Sequence, residues 1–349
     1  MMSAPALYRE NRRKALLLLA VFAALVPAAA LVSLSLGVMR VPPEWTARII
    51  AGRLARLPAL YAEVPANAVA VIWELRLPRI ICVLCTGAAL AASGVIFQAI
   101  LQNQLADPYT VGVSGGASFG ASLAIFCNVI LAANVNPTVT ALVFAALTLA
   151  IVLFIAERGD GLAQVNLIMA GIIVSAIFQA GLSFLKMLSG ENVGAIVFWL
   201  MGSFSARGWN DAALLLCTVI PVIAYAVIFS RDLNILSLGE REALSLGLDA
   251  RRTRLLFLLL GTVLSAVSVA VAGIIGFVGL VVPHLLRFSA ARDNRLLLPL
   301  SALGGALLLS AADNAARLTG SGEIPVGVLT TLAGGPFFIW VFMRNRRRG

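Results

Sequence analysis

The sequence predicts an all-α polytopic membrane protein, and three observations carry that prediction. Of its 349 residues, 60% are hydrophobic and only 12% are charged, an apolar excess that soluble domains seldom reach. The apolar residues gather into runs of roughly 20, the length at which a helix crosses a bilayer. The basic residues cluster at the ends of those runs, as membrane topology requires. The net charge of +10 therefore reads as topology. No basic stripe with interleaved aromatics occurs, so a nucleic-acid partner is excluded.

Ten candidate spans follow one another. The first, Ala15–Met39, comes after Arg9, Arg12, Arg13 and Lys14. It has the basic start and Ala-rich end of a secretory signal, but its apolar stretch is longer than a signal core. It reads as an uncleaved span, with cleavage as the alternative. The second, Arg79–Leu101, is opened by "ELRLPR": Pro78 fits a first helical turn and disfavours helix just before it. Thr110–Ala133 is rich in Gly, Ala and Ser, a composition that lets membrane helices approach closely. Pro137–Ala156, Leu162–Leu188 and Asp211–Phe229 are apolar runs bounded by charge or proline. From Leu255 to Leu286 there is no Asp, Glu, Lys or Arg. Glycines 273, 276 and 279 divide that region into Arg254–Ala272 and Gly273–Phe288. Leu296–Ala312 and Pro325–Phe342 complete the set, and Ala195–Phe204 is too short to cross alone.

Ten spans put both ends on one side. The basic residues before the first span, and Arg344, Arg346, Arg347 and Arg348 after the last, make that side cytoplasmic. The same alternation places Arg158, Arg231, Arg241, Arg251, Arg252, Arg254, Arg287, Arg292 and Arg295 inside. The segment from Arg40 to Arg79 then faces outward although it carries Arg40, Arg48, Arg53, Arg56, Arg76 and Arg79. Lipid headgroups or local pairing with Glu44, Glu63 and Glu74 account for the four mid-loop cations. Arg76 and Arg79 oppose the topology rule, and Arg79 also meets the positive end of a helix dipole if its helix begins at Pro78. A partner is expected for them.

Catalytic and cofactor signals are sparse. No GxxxxGK[ST] is present, so the chain cannot cradle nucleotide phosphates in a P-loop. No acidic residue lies in mid-span, where ion-coupled transporters commonly hold one. Asp313, near an outer helix end, is four residues before Arg317 and spaced for a local ion pair. Cys82 and Cys85 form a CxxC inside an apolar helix pattern, without the strand context of a redox motif. Cys127 and Cys217 are also in apolar runs, so neither a disulfide framework nor a metal cluster is expected. "GVSG" (Gly112–Gly115) matches an intramembrane protease motif, and His284 is the only histidine, so Ser114 and His284 form a conceivable dyad. The same glycines read equally as helix packing.

The largest cytoplasmic insertion, Ser230–Arg254, holds Leu233, Ile235, Leu236, Leu238, Leu244, Leu246 and Leu248, broken by Gly239 and Gly247. Leucines at that density need a surface, either the membrane interface or a soluble partner.

Taken in order, "LRLPR", "GVIFQAILQNQLADPYTVGVSGGASFGA", "SLGEREALSLGL", "GIIGFVGLVVPHLLRF", "LLLPLSALGGALLLSAAD" and "EIPVGVLTTLAGGPFFIW" resemble the FecCD-type permeases over nearly the whole chain. These are the membrane subunits of ABC importers for iron chelates, haem and cobalamin. The resemblance implies a single permease domain, residues 1–349, with ten helices. Helices two to five and seven to ten are related as an inverted repeat, and a homodimer of the type II importer class carries the pathway on its axis. It implies no cofactor in this chain, with ATP hydrolysis supplied by a separate ATPase dimer on the cytoplasmic side. In the family, the region matching 230–254 receives that dimer, which assigns the coupling role to Leu238, Gly239, Glu240, Ala243, Leu246 and Gly247. The cytoplasmic gate falls on Asn103 and Leu105. Arginines at the positions of Arg76, Arg79 and Arg317 dock a periplasmic or extracellular substrate-binding protein. The loop Gln102–Pro108 departs from the family's Arg-Asn-Pro-Leu-Ala-Asp-Pro: Gln104 replaces a proline, and Asp107 is expected to cap the next helix. Localisation in the cell inner membrane follows. The alternatives are an ion-coupled secondary transporter and an intramembrane protease using Ser114. Siderophore, haem and cobalamin fit a charge-poor pathway alike.

Overall fold

A backbone in lipid must satisfy its own polar groups, and the long apolar runs of this chain do so as helices. The computed structural model describes residues 4–37, 39, 41–158, 162–289, 293–318 and 323–346. Arg40, Arg292, Arg347 and Arg348, which contributed to the topology reading, lie outside them. In chain order the helices are α1 (Ala4–Ser35), α2 (Pro43–Leu54), α3 (Ala66–Ala70), α4 (Leu77–Ile100), α5 (Val113–Ile130), α6 (Pro137–Glu157), α7 (Gln164–Leu188) and α8 (Val193–Leu200). They continue with α9 (Trp209–Ile228), α10 (Ser230–Leu236), α11 (Glu240–Ser245), α12 (Ala250–Ala272), α13 (Val278–Ser289), α14 (Asn294–Leu318) and α15 (Val326–Arg346). No strand occurs among the described residues.

Among the described residues, eight helices are long and apolar enough to cross a membrane; Val278–Phe288 and Val326–Ile339 are shorter apolar helices. The expected spans Gly273–Phe288 and Pro325–Phe342 correspond to these two. Residues 273–277 are non-helical, and Tyr109 holds them by donating its hydroxyl to the Ile275 carbonyl at 2.8 Å.

The expected helix start at Pro78 is wrong. Helix runs without a break from Ala66 to Ile100, with residues Val71–Arg76 wound as a π-helical turn. A mid-helix proline lacks the N–H and clashes with the carbonyl four residues back. The widened turn before Pro78 takes up that defect. Arg79 is therefore well inside a helix, and the dipole penalty assigned to it does not arise.

The segment between α1 and α4 is a folded cap. Ile49 of α2 packs with Val64, Ala68, Val69 and Ile72. Arg48 pairs with Glu63 at 3.6 Å on the surface, and Arg53 lies 5.7 Å from the rings of both Tyr61 and Trp73. Arg48 thus has an acidic partner of the expected kind, whereas Arg53 rests against aromatic rings rather than a glutamate.

α4 and α12 form the centre of the bundle, and α1 lies at its periphery. Water gives membrane helices little reason to associate with one another, so close packing of small residues does that work. Gly87 of α4 faces Gly305 of α14, and a Cβ on either would overlap the other's carbonyl oxygen. Gly87→Ala is expected to cost about 1–3 kcal/mol by overpacking. Gly194→Ala, with nothing within 4 Å, should be neutral or stabilising; thermal denaturation in detergent compares the two.

Candidate functional site

The Gly87–Gly305 contact sets the register of two antiparallel helices, and that register assembles a charge cluster. Eight residues back from Gly87 is Arg79, and eight residues on from Gly305 is Asp313. Both lie roughly 12 Å from the contact at 1.5 Å per residue, towards the same end of the bundle. There Arg79 Nη2 donates to Asp313 Oδ1 at 2.8 Å and Nε to the same oxygen at 3.2 Å. Its Nη1 donates to Glu323 Oε1 and Oε2 at 2.7 and 3.0 Å. Asp313 is shared, since its Oδ2 lies 3.1 Å from Arg317 Nε as an ion pair. Angular alignment there falls short of a hydrogen bond, and Arg317 Nε has no hydrogen-bond partner. Arg317 also donates to the carbonyls of Leu36 at 3.2 Å and Ser33 at 3.0 Å, and to Asn314. Arg76 donates to the Leu34 carbonyl at 2.7 Å and to that of Met39.

The three arginines expected to need an external partner thus have partners within the chain. Only the Asp313–Arg317 pair was visible as a sequence spacing. Arg79 and Arg317 side chains are 12% and 7% exposed and Asp313 is 2%, whereas Glu323 is 42% exposed. Partial burial acts to raise the Glu323 carboxyl. Hydrogen bonds from Arg79 and Ser205, backed by the charges of Arg79 and Arg317, outweigh it and hold the group below the usual carboxylate range. A cavity of about 430 Å³ opens over this cluster, lined by Arg76, Arg79, Ser205, Arg207, Arg317 and Glu323 among others.

The opposite end of the bundle carries a second polar layer. Arg287 donates to Gln98 Oε1 at 2.5 Å, and Asn234 donates to Asp293 at 2.6 Å. Arg254, 5% exposed, reaches Glu240 at 3.2 Å and the Leu162 carbonyl at 2.8 Å. The loop after α4 turns through Gln102, which has φ 47°. Asn103 Oδ1 accepts from the Leu105 N–H at 2.9 Å. This Asx turn does the work of the missing proline at Gln104. Leu105 is 55% exposed. Asp107 does not cap α5 as expected: it accepts from the Tyr109 N–H at 2.9 Å and the Thr110 hydroxyl at 3.0 Å, within the loop. Burial pushes its carboxyl up, against these hydrogen bonds.

In the 230–254 segment the leucines divide. Leu233 and Leu236 join the main core, while Leu238, Leu244 and Leu246 are exposed. Ala243 is buried and anchors α11. Gly239 and Gly247 have φ of 126° and 79°, breaking the chain on either side of α11. Glu240 is exposed on one side and holds Arg254 on the other.

Ser114 lies in the first turn of α5, while His284 of α13 packs its ring on Phe288 at 4.8 Å and Phe338 at 5.7 Å. His284 Nε2 is buried without a hydrogen-bond partner. A nucleophile and its base need hydrogen-bond reach, and no hydrogen bond joins this pair among the described residues. The free cysteines Cys82, Cys85, Cys127 and Cys217 form no disulfide, and no group of metal-ligating side chains occurs among the described residues.

Residues 19–344 match the FecCD transport family. The vitamin B12 import system permease protein BtuC of Vibrio cholerae serotype O1 is 42% identical over 279 residues, 78% of this chain and 83% of that protein. The hemin transport system permease protein HmuU of Yersinia pestis is 38% identical over 283 residues, covering 79% of this chain and 84% of that one. A solved ABC transporter of the metal-chelate type, described as inward-facing, superposes with a TM-score of 0.80 at 34% identity, over 93% of this chain and 98% of its own. With polar layers at both ends of an apolar helical bundle and a match across nearly its whole length, the chain belongs to the FecCD transport family and is a multi-pass permease of an ABC importer.

Proposed function

We propose that this permease works as a homodimer of ten-span subunits, with both termini cytoplasmic in the cell inner membrane and the 1–349 chain acting as one permease domain. The cargo is a chelate delivered by a substrate-binding protein: cobalamin, haem or a ferric siderophore. Charge asymmetry supports the orientation, since Arg231, Arg241, Arg251, Arg252 and Arg295 all lie at the α10–α11 end. The Arg79 cluster then faces outward. Arg76, Arg79 and Arg317 contribute there as a fixed positive field that steers an acidic binding protein.

The observation that carries the energy-coupling assignment is the exposed trio Leu238, Leu244 and Leu246 near Glu240, on the short helix α11 and the turns at its two ends. Exposed apolar patches of this kind mark interaction surfaces, and an ATPase dimer is the partner the family provides. The chain needs no cofactor of its own for this role.

Leu105, exposed on the loop after α4, is the gate residue best placed to meet its copy across the dimer axis. Leu105→Cys is expected to crosslink two permease chains in at least one nucleotide state. Monomeric behaviour in every state, with the protein intact, would remove both the dimer and the gate assignment. Cargo identity is tested by the ligand that copurifies with the cognate binding protein.

A further inference from the structure

Four arginines line the 430 Å³ cavity at the outward end, and they are not equivalent. Arg76, Arg79 and Arg317 are taken up by carbonyls and carboxylates of the chain. Arg207, in the stretch between α8 and α9, makes no hydrogen bond or ion pair with the described residues, and its Nε is buried without a partner. A guanidinium carries five N–H donors and no acceptor. Half-burial removes water from such a group without replacing it, a cost usually met by an anion.

The cavity already displays the chemistry it accepts. Glu323 reaches into it on a side-chain tether, receiving the Ser205 hydroxyl at 2.5 Å and Arg79 Nη1 at 2.7 Å. Ser205 is two residues from Arg207, and both line the same space. Glu323 is also the only exposed member of the ion-pair cluster, and so the only one a visitor can displace without opening the core. Since the occupant is a tethered carboxylate, the matching visitor is the side chain of an acidic residue on a protein.

We propose that Arg207 is an additional docking cation for an acidic side chain of the substrate-binding protein, and that Glu323 competes with that side chain by occupying Arg79. The inference rests on the importer reading. In the free permease Glu323 keeps Arg79 satisfied; on docking, the visiting carboxylate binds Arg207 and exchanges with Glu323 at Arg79. The two residues therefore have opposite signs: removing Arg207 weakens docking, and neutralising Glu323 strengthens it.

Docking of the cognate binding protein to permease in nanodiscs, measured by biolayer interferometry across a salt series, tests both signs. Arg207→Gln should raise Kd about tenfold or more, the lower range for close interfacial charge pairs, and should flatten the salt dependence. Arg207→Lys should recover part of the loss. Glu323→Gln should lower Kd severalfold. Neither change removes a buried ion-pair member, and equal melting temperatures in the same nanodiscs check that both variants are folded. Unchanged docking of Arg207→Gln, or weaker docking of Glu323→Gln, overturns the inference while the importer reading stands. No docking by the wild-type permease overturns both.

Discussion

Asp313→Asn is expected to destabilise the permease more than any other single change at the Arg79 end of the bundle. Asp313 is buried between Arg79 and Arg317, with oxygens 2.8 and 3.1 Å from their nitrogens. Neutralising it leaves two guanidiniums facing each other with Glu323 as their remaining acid. Breaking a buried pair by removing one partner costs roughly 3–5 kcal/mol, because the other charge is left uncompensated. This case stands at the upper end, since one carboxylate serves two cations. The loss should appear as lower thermal stability in detergent and as poor recovery from the membrane. Arg79→Gln on its own should cost less, because the Asp313–Arg317 pair persists. The double variant should be less damaging than the sum of the two, the mark of direct coupling. Additive effects would mean that the cluster contributes through each helix separately.

The second large effect concerns coupling. Leu244→Asp together with Leu246→Asp should detach the ATPase and abolish transport, while the permease stays folded and dimeric. The two side chains are 60% and 61% exposed, so their loss costs the isolated subunit within about ±0.5 kcal/mol. At a docked interface the same leucines become buried anchors, and two carboxylates there would be desolvated without partners. Retained ATPase association with altered membrane seating would return α10 and α11 to the lipid interface. Glu240→Lys is a less selective probe of this surface. Glu240 also neutralises the buried Arg254 at 3.2 Å, so a lysine there would disturb the subunit as well as the contact.

The spans were legible in the sequence because lipid imposes a strong, local requirement: enough apolar residues in a row, with basic residues at one set of ends. The boundaries of α5, α6, α7, α9 and α12 follow from that requirement to within a few residues. The start of the second span did not, because Pro78 carries the local signature of a helix start. A π-helical turn over Val71–Arg76 lets the helix pass through it. The arginines of "ELRLPR" stand out in the sequence through their unfavourable placement in the topology. Their partners were not legible: Arg76 is taken up by backbone carbonyls of Leu34 and Met39, which carry no sequence signal, and the carboxylates on Arg79, Asp313 and Glu323, lie 234 and 244 residues away. Asp313 is brought to Arg79 by the Gly87–Gly305 register of α4 against α14. Arg207 gave no signal at all, since an arginine in a loop is ordinary until its surroundings leave it unpaired.

This matters for how the face around Arg79 is probed. Reversing Arg76 or Arg79 to glutamate would break intrachain bonds before it touched any visitor, so lost docking in such a variant would report folding as much as recognition. Arg207 and Glu323 separate the two.

As a permease of an ABC importer, this chain is expected to form a pathway driven by a separate ATPase. Uptake into proteoliposomes tests it most directly. The permease is reconstituted with its cognate ATPase and binding protein, and cobalamin, haem and a ferric siderophore are each offered as cargo. Uptake of the cargo that the binding protein carries should require ATP on the ATPase side and all three components, and should persist when ionophores collapse the proton and sodium gradients. Uptake by the permease alone that follows an imposed ion gradient, and disappears with it, would contradict the account.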